Sequence, residues 1–174
     1  MRALVTYGST MGGTAGLARM IGAELVRHGV AVDIVPADRV RTLYPYDAVI
    51  VGGALYGGRW HRDARRFVAG RSGELRTLDV WMFSSGPLGD DVQQPDTPPV
   101  SQVAALARRV HARGHATFGG CLPADARGVA ARKLARTLAG DWRDPDQVAR
   151  WAASVARELR ALAVSRRQAL RSAG

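Results

Sequence analysis

Apolar runs and amphipathic stretches alternate along this chain. Short runs rich in β-branched and aromatic residues fall at Ala3 to Tyr7, Ala31 to Val35, Ala48 to Val51, Val80 to Phe83 and Ala116 to Phe118. Most are continuously apolar and bounded by glycine, proline or serine, the pattern of strands buried on both faces. Between them the apolar spacing changes to three and four residues. Leu17, Met20, Ile21 and Leu25 share one face from Gly13 to His28, and Val103, Leu106, Ala107 and Val110 share one from Pro98 to Ala112. A shorter, basic helix is predicted from Asp63 to Arg71, carrying Phe67 and Val68.

After the fifth run, Pro123 to Asp144 forms an extra segment with one basic amphipathic helix presenting Val129, Leu134 and Leu138. The last helix is the clearest. Asp144-Pro145 supplies an N-cap followed by proline in the first turn, and Val148, Trp151, Ala152, Val155, Leu159 and Leu162 recur at helical steps. The polar, basic tail from Ser165 to Gly174 is expected to fray.

Alternating strands and helices predict an α/β domain with a parallel sheet and helices on both faces. Five strands suggest the order 2-1-3-4-5, and such sheets bind ligands beyond the carboxyl ends of their strands, at the switch point. The loops after strands one, three and four are therefore where chemistry is expected. With 174 residues and no linker, repeat or low-complexity tract, a single domain over residues 1–164 is expected.

Composition narrows the function. The single Cys121 has no internal disulfide partner and no leader pattern opens the chain, so a reducing cytoplasm is the expected home. Arginines interrupt every later apolar segment, which excludes a membrane span and leaves at most peripheral contact through basic helices. The net charge is +10, and every basic residue except Lys133 is arginine. That skew reads two ways: a field attracting anionic cofactors, substrates, redox proteins or lipid headgroups, or solvated helix faces in the product of a GC-rich genome. No zinc-finger spacing, aromatic RNA-binding motif or helix-turn-helix accompanies the charge, so nucleic acid is not an expected partner.

The loop after strand one reads Tyr7-Gly8-Ser9-Thr10-Met11-Gly12-Gly13-Thr14 and runs straight into a helix. Small residues let backbone N–H groups converge on an anion, Ser9, Thr10 and Thr14 add hydroxyls, and the helix N-terminus adds its dipole. The loop contains no lysine or arginine, unlike a P-loop, and lacks the glycine spacing of the dinucleotide fingerprint. A monophosphate held by neutral donors fits it.

These residues resemble the flavodoxin signature Thr/Ser-x-Thr-Gly-x-Thr, with Ser9, Gly12 and Thr14 matching and Met11 standing where the family usually has threonine. The resemblance implies a flavodoxin-like three-layer sandwich that binds FMN. Its cofactor residues would be Ser9, Thr10, Met11, Gly12, Gly13 and Thr14 at the phosphate. Ala54, Leu55, Tyr56, Gly57 and Gly58 would follow strand three, and Ser84, Ser85, Gly86 and Pro87 would end strand four.

Around these loops, Gly52 to Trp60 offers glycines for close approach to a flat ligand and two rings. Tyr56 is the candidate for stacking on an isoalloxazine, while Trp60 either stacks or packs under the next helix. Arg59 reads as a solvated charge or one placed near an anionic flavin or substrate. Strand four lacks the usual stacking tyrosine, and the proline-bearing loop from Asp90 to Pro99 either shapes a lid or is an inert connection.

The Ala54 to Arg59 loop, and Gly140-Asp141-Trp142-Arg143-Asp144 leading into the last helix, also resemble the menaquinone-dependent protoporphyrinogen dehydrogenases and related flavodoxin-domain proteins. That likeness implies an FMN enzyme passing electrons from a porphyrinogen-like or other small molecule to a quinone. A flavodoxin-type electron carrier and a cofactor-free interaction module are the alternatives. Other chemistries fail. His28, His61, His111 and His115 lack metal-ligand spacing and read as helix-end or surface residues, with His61 alone placed to donate a proton to a flavin. Cys121 reads as a small buried hydrophobe, Ser84 and Ser85 form no nucleophile elbow, and no paired carboxylates are present.

Overall fold

The computed structural model describes residues 1–86, 97–124, 135–137 and 139–172. Its main sheet contains β1 (Arg2–Gly8), β2 (Ala31–Pro36), β3 (Ala48–Tyr56), β4 (Arg59–Trp60), β5 (Asp79–Ser85) and β6 (Gly114–Phe118). The order is β2-β1-β3-β5-β6, with every neighbour in that path parallel and β4 folded back antiparallel on β3. Leaving out that two-residue strand, the order is the expected 2-1-3-4-5, and the fold is flavodoxin-like. A separate two-stranded ribbon pairs β7 (Cys121–Leu122) with β8 (Gly140–Asp141).

The central strands explain the continuous apolar runs. All of β5 is buried, as are the first seven residues of β3. On one face α1 (Gly13–Arg27) and α5 (Pro145–Ser172) cover the sheet, with Leu17, Ile21, Leu25, Val155 and Leu159 meeting Trp81 and Phe83. On the other face α2 (Arg62–Gly70), α3 (Ser72–Leu75) and α4 (Ser101–Val110) bring Phe67, Val68, Leu75 and Val103 onto Val49, Val51 and Met82. Each such fully buried aliphatic or aromatic side chain stabilises the fold by about 1.5–3 kcal/mol. Truncating one to alanine costs about 2–5 kcal/mol because the neighbours cannot close the gap.

Two helix ends follow their local chemistry. Asp144 caps α5, its Oδ1 accepting from the N–H of Asp146 at 2.9 Å and of Gln147 at 3.2 Å. At the end of α1, Gly29 takes φ +76° and Val30 N–H bonds the Leu25 carbonyl, the closing turn that glycine permits.

Residues 165–172, expected to fray, continue α5 as exposed helix. Arg166 pairs with the buried carboxylate of Asp79 at 2.8 Å, and Arg160 donates to the His28 carbonyl. The amphipathic helix expected around Val129, Leu134 and Leu138, and Pro87 with the Asp90 to Pro95 part of the proline loop, lie outside the described residues. Among the described residues no helix is long and apolar enough to cross a membrane.

Candidate functional site

Because β1, β3 and β5 run parallel, their carboxyl ends open on the same edge of the sheet. The chain leaves β1 toward β2 on one side and reaches β3 on the other, so the gap between β1 and β3 is the switch point. The Ser9 to Thr14 loop rises at that point. Gly8 must be glycine: a Cβ there would lie 2.8 Å from the Ala64 nitrogen and 3.0 Å from His61 Nδ1. Ser9 Oγ accepts from the Gly12 N–H at 3.1 Å, which folds the loop back on itself. Gly12 then takes φ +82° and its carbonyl accepts the first helical bond, from Gly16 at 3.0 Å.

The helix that follows has an open N-terminus. No side chain caps α1 and no acidic residue lies in its first turn. Its leading N–H groups, on the buried residues Gly13, Thr14 and Ala15, therefore have no side-chain cap among the described residues. Thr14, in that turn, is 1% exposed, and its hydroxyl has no hydrogen-bond partner among the described residues. Buried hydroxyls are normally satisfied, so an orphan beside an uncapped helix start marks a place for an acceptor. Of the loop residues, Thr10 is exposed, while Met11 packs against Leu122, Ala135 and Trp142. The methionine that replaces the usual threonine is thus the loop's contact with the segment after β6.

The stretch after β3 is a hairpin rather than an open loop. Ala54, Leu55 and Tyr56 are strand residues, and Gly57 and Gly58, with φ +53° and +72°, make the two-residue turn into β4. Paired positive φ values match the twist of the flanking strands and favour glycine at both positions. Gly52 and Gly53 serve packing rather than a flat ligand. A Cβ on Gly52 would strike the Phe83 ring, and one on Gly53 would lie 2.5 Å from the Trp60 indole. Trp60 is consequently core, at 1% exposed, whereas Tyr56 is 47% exposed. The Tyr56 ring meets His61 edge-on with centroids 6.3 Å apart.

At the end of β5, Ser84 is buried and its hydroxyl is engaged twice, by Trp60 Nε1 at 2.8 Å and His115 Nε2 at 2.9 Å. Its side chain is therefore committed to the core. Ser85 is 6% exposed, and Gly86, at φ +116°, donates its N–H to the Phe118 carbonyl. A Cβ on Gly86 would sit 3.5 Å from Leu55 Cβ, so the β3 hairpin and the end of β5 adjoin one another.

The histidines divide. His28 and His111 close α1 and α4, as expected. His61 caps α2, its Nδ1 accepting from the Asp63 N–H at 3.3 Å beside the hairpin. His115 is half-buried: it lies on β6 against Ser84, its Nδ1 is buried without a partner among the described residues, and burial lowers its pKa to about 4.

A contact that the sequence did not reveal lies on the other side of α1. A Cβ on Gly13 would lie 3.0 Å from the Cys121 carbonyl oxygen, so the start of β7 rests on the first helical residue. Cys121 is half-buried rather than fully so, and burial together with Asp141 raises its thiol pKa, with Arg143 opposing. Arg143 forks onto Asp141, with Nε to Oδ1 at 2.7 Å and Nη2 to Oδ2, which holds the Asp141 carboxyl below its usual range. The glycine spacing along α1 was the only trace of this contact in the sequence. A cleft of about 490 Å³ elsewhere, lined by Asp38, Asp63, Arg66, Phe67, Arg71 and Glu74 among others, contains none of the candidate residues.

Comparison with known proteins agrees with this geometry. No curated protein sequence matches the chain. Among solved structures, an archaeal flavodoxin superposes with a TM-score of 0.61 at 16% identity, over 92% of this chain and 99% of its own. A Streptococcus pneumoniae flavodoxin gives 0.59 at 16% identity, over 91% and 99%. The rubredoxin oxygen:oxidoreductase of Desulfovibrio gigas gives 0.63 at 14% identity, over 92% of this chain; the chain spans only 36% of that protein. The family described as Flavodoxin domain matches residues 4–142, from the first strand through the β7–β8 ribbon, and this chain belongs to that family.

Proposed function

We propose that the chain binds FMN at the open edge of the sheet and works as an oxidoreductase, passing electrons from a reduced small molecule to a quinone or similar acceptor. The observation that carries the cofactor is the uncapped start of α1 with the buried, unpartnered Thr14 hydroxyl beside it. Thr14 and the N–H groups of the first turn would hold the phosphate, with Ser9 bracing the loop. The exposed Tyr56 on its rigid hairpin would cover one face of the ring. When bound, the flavin supplies a redox centre able to exchange one or two electrons, and the protein supplies position and local charge. The +10 net charge favours anionic substrates such as a carboxylated porphyrinogen, and contact with an anionic membrane surface that holds quinone.

The test begins with purified protein titrated with FMN and with riboflavin, followed by flavin fluorescence and absorbance near ~450 nm. Saturable FMN binding is expected, and a protein that takes up neither flavin overturns the reading. The loaded protein is then given a soluble quinone or a one-electron protein acceptor. Turnover with the quinone supports the enzyme, and exchange with the protein acceptor alone replaces it with an electron carrier.

A further inference from the structure

The phosphate loop has no cationic residue of its own, yet a guanidinium stands beside the turn that follows it. Gly16 ends the first turn of α1, and a Cβ on it would collide with Arg143 Nη1, the nearest atom. That places Nη1 against the flank of the first helical turn of α1. The side chain of Arg143 is 17% exposed. Its Nε and Nη2 are spent on Asp141, while Nη1 makes no hydrogen bond among the described residues. Asp141, the partner carboxylate, is 49% exposed. The pair is therefore oriented, with the carboxylate toward solvent and the free guanidinium nitrogen toward α1. In the same turn, Thr14 carries a buried hydroxyl with no partner.

We propose that Arg143, braced by Asp141 against Gly16, supplies the positive charge that the phosphate loop lacks and so selects phosphorylated over unphosphorylated flavin. The inference rests on the FMN reading above and adds a residue just past the end of the family match at 142. Three features point the same way. An arginine held by a carboxylate fork keeps one edge in a fixed orientation. Glycine at positions 13 and 16 lets the β7–β8 ribbon and the Arg143 that follows it approach the helix backbone. Partial burial strengthens the attraction between a guanidinium and a dianionic phosphate relative to bulk water.

The test measures dissociation constants of FMN and riboflavin for the wild-type chain, Arg143→Met and Arg143→Lys, with thermal unfolding as the check on folding. Arg143→Met is expected to weaken FMN by roughly ten- to a hundredfold and leave riboflavin unchanged. Arg143→Lys should recover part of the loss, and the FMN preference of the wild type should shrink as salt rises. Equal losses for both flavins would reduce Arg143 to a packing role, and unchanged FMN affinity would remove it from the site; either overturns the proposal. A wild-type chain that binds neither flavin overturns the FMN reading instead, a result visible before any variant is made.

Discussion

Trp60 Nε1 donates to Ser84 Oγ across 2.8 Å, joining the glycine hairpin to the adjacent strand β5 inside the core. This bond fixes the base of the hairpin whose tip carries Tyr56. Replacing Ser84 with alanine leaves a buried indole N–H without an acceptor and His115 Nε2 without its partner. The expected cost is about 1–3 kcal/mol, read as a lower denaturation midpoint at unchanged slope. Trp60→Phe should be milder in hydrogen bonding, since Ser84 keeps His115, though it loses packing volume.

Thr14→Val should separate ligand binding from stability. Its hydroxyl has no partner among the described residues, so the unliganded valine variant should be as stable as the wild type or slightly more so. FMN affinity should fall by roughly 1–3 kcal/mol while riboflavin affinity holds. A parallel fall in stability and in both affinities would place the hydroxyl in the fold rather than at the phosphate.

Tyr56→Ala should do the reverse, weakening FMN and riboflavin alike, because an exposed ring can contact only the isoalloxazine they share. Gly58→Ala should destabilise the chain by about 1–2 kcal/mol through its positive φ, and loosen ring binding with it. Parallel titrations with the two flavins, alongside melting curves, check both variants.

His115 makes stability depend on pH. Its ordinary pKa is 6.5 and the folded value is about 4, so the unfolded chain takes up its proton first as pH falls. The contribution of the neutral, buried ring is fully present above pH 6.5 and is lost between 6.5 and 4, to a total of about 3 kcal/mol. His115→Gln should lose less stability than wild type between pH 7 and pH 4.5. Equal losses would show that the ring is not held neutral.

Much of this architecture was legible because strands buried on both faces carry mostly apolar residues. Val80 to Phe83 and Ala48 to Val51 announce a central parallel sheet, and the serine, threonine and glycine run after β1 announces the tight turn into α1. The sequence was misleading where one residue type serves two ends. Gly52 and Gly53 read as room for a ligand, but each makes room for an aromatic of the core, Phe83 on one face and Trp60 on the other. His115 read as surface because a polar residue on an edge strand gives no sign of the tryptophan-serine pair waiting for it. The contact of Arg143 with α1 was not legible because it spans more than a hundred residues, and only Gly16 records it at the other end. The pairing of Arg166 with Asp79 was hidden for the same reason, its partner lying far back at the start of β5.

The supports of the Ser9 to Thr14 loop come from both ends of the chain. Gly8 is backed by α2, Gly13 by Cys121 and Gly16 by Arg143, so the loop is formed early in the chain and finished by residues near its end. A polypeptide that stops after β6 contains all five parallel strands but lacks the residues that wall one side of the first loop. Closing that wall joins segments far apart in sequence, a step that follows local structure rather than leading it. Ligand binding at this loop is therefore expected to depend on segments more than a hundred residues away and to be acquired late in folding.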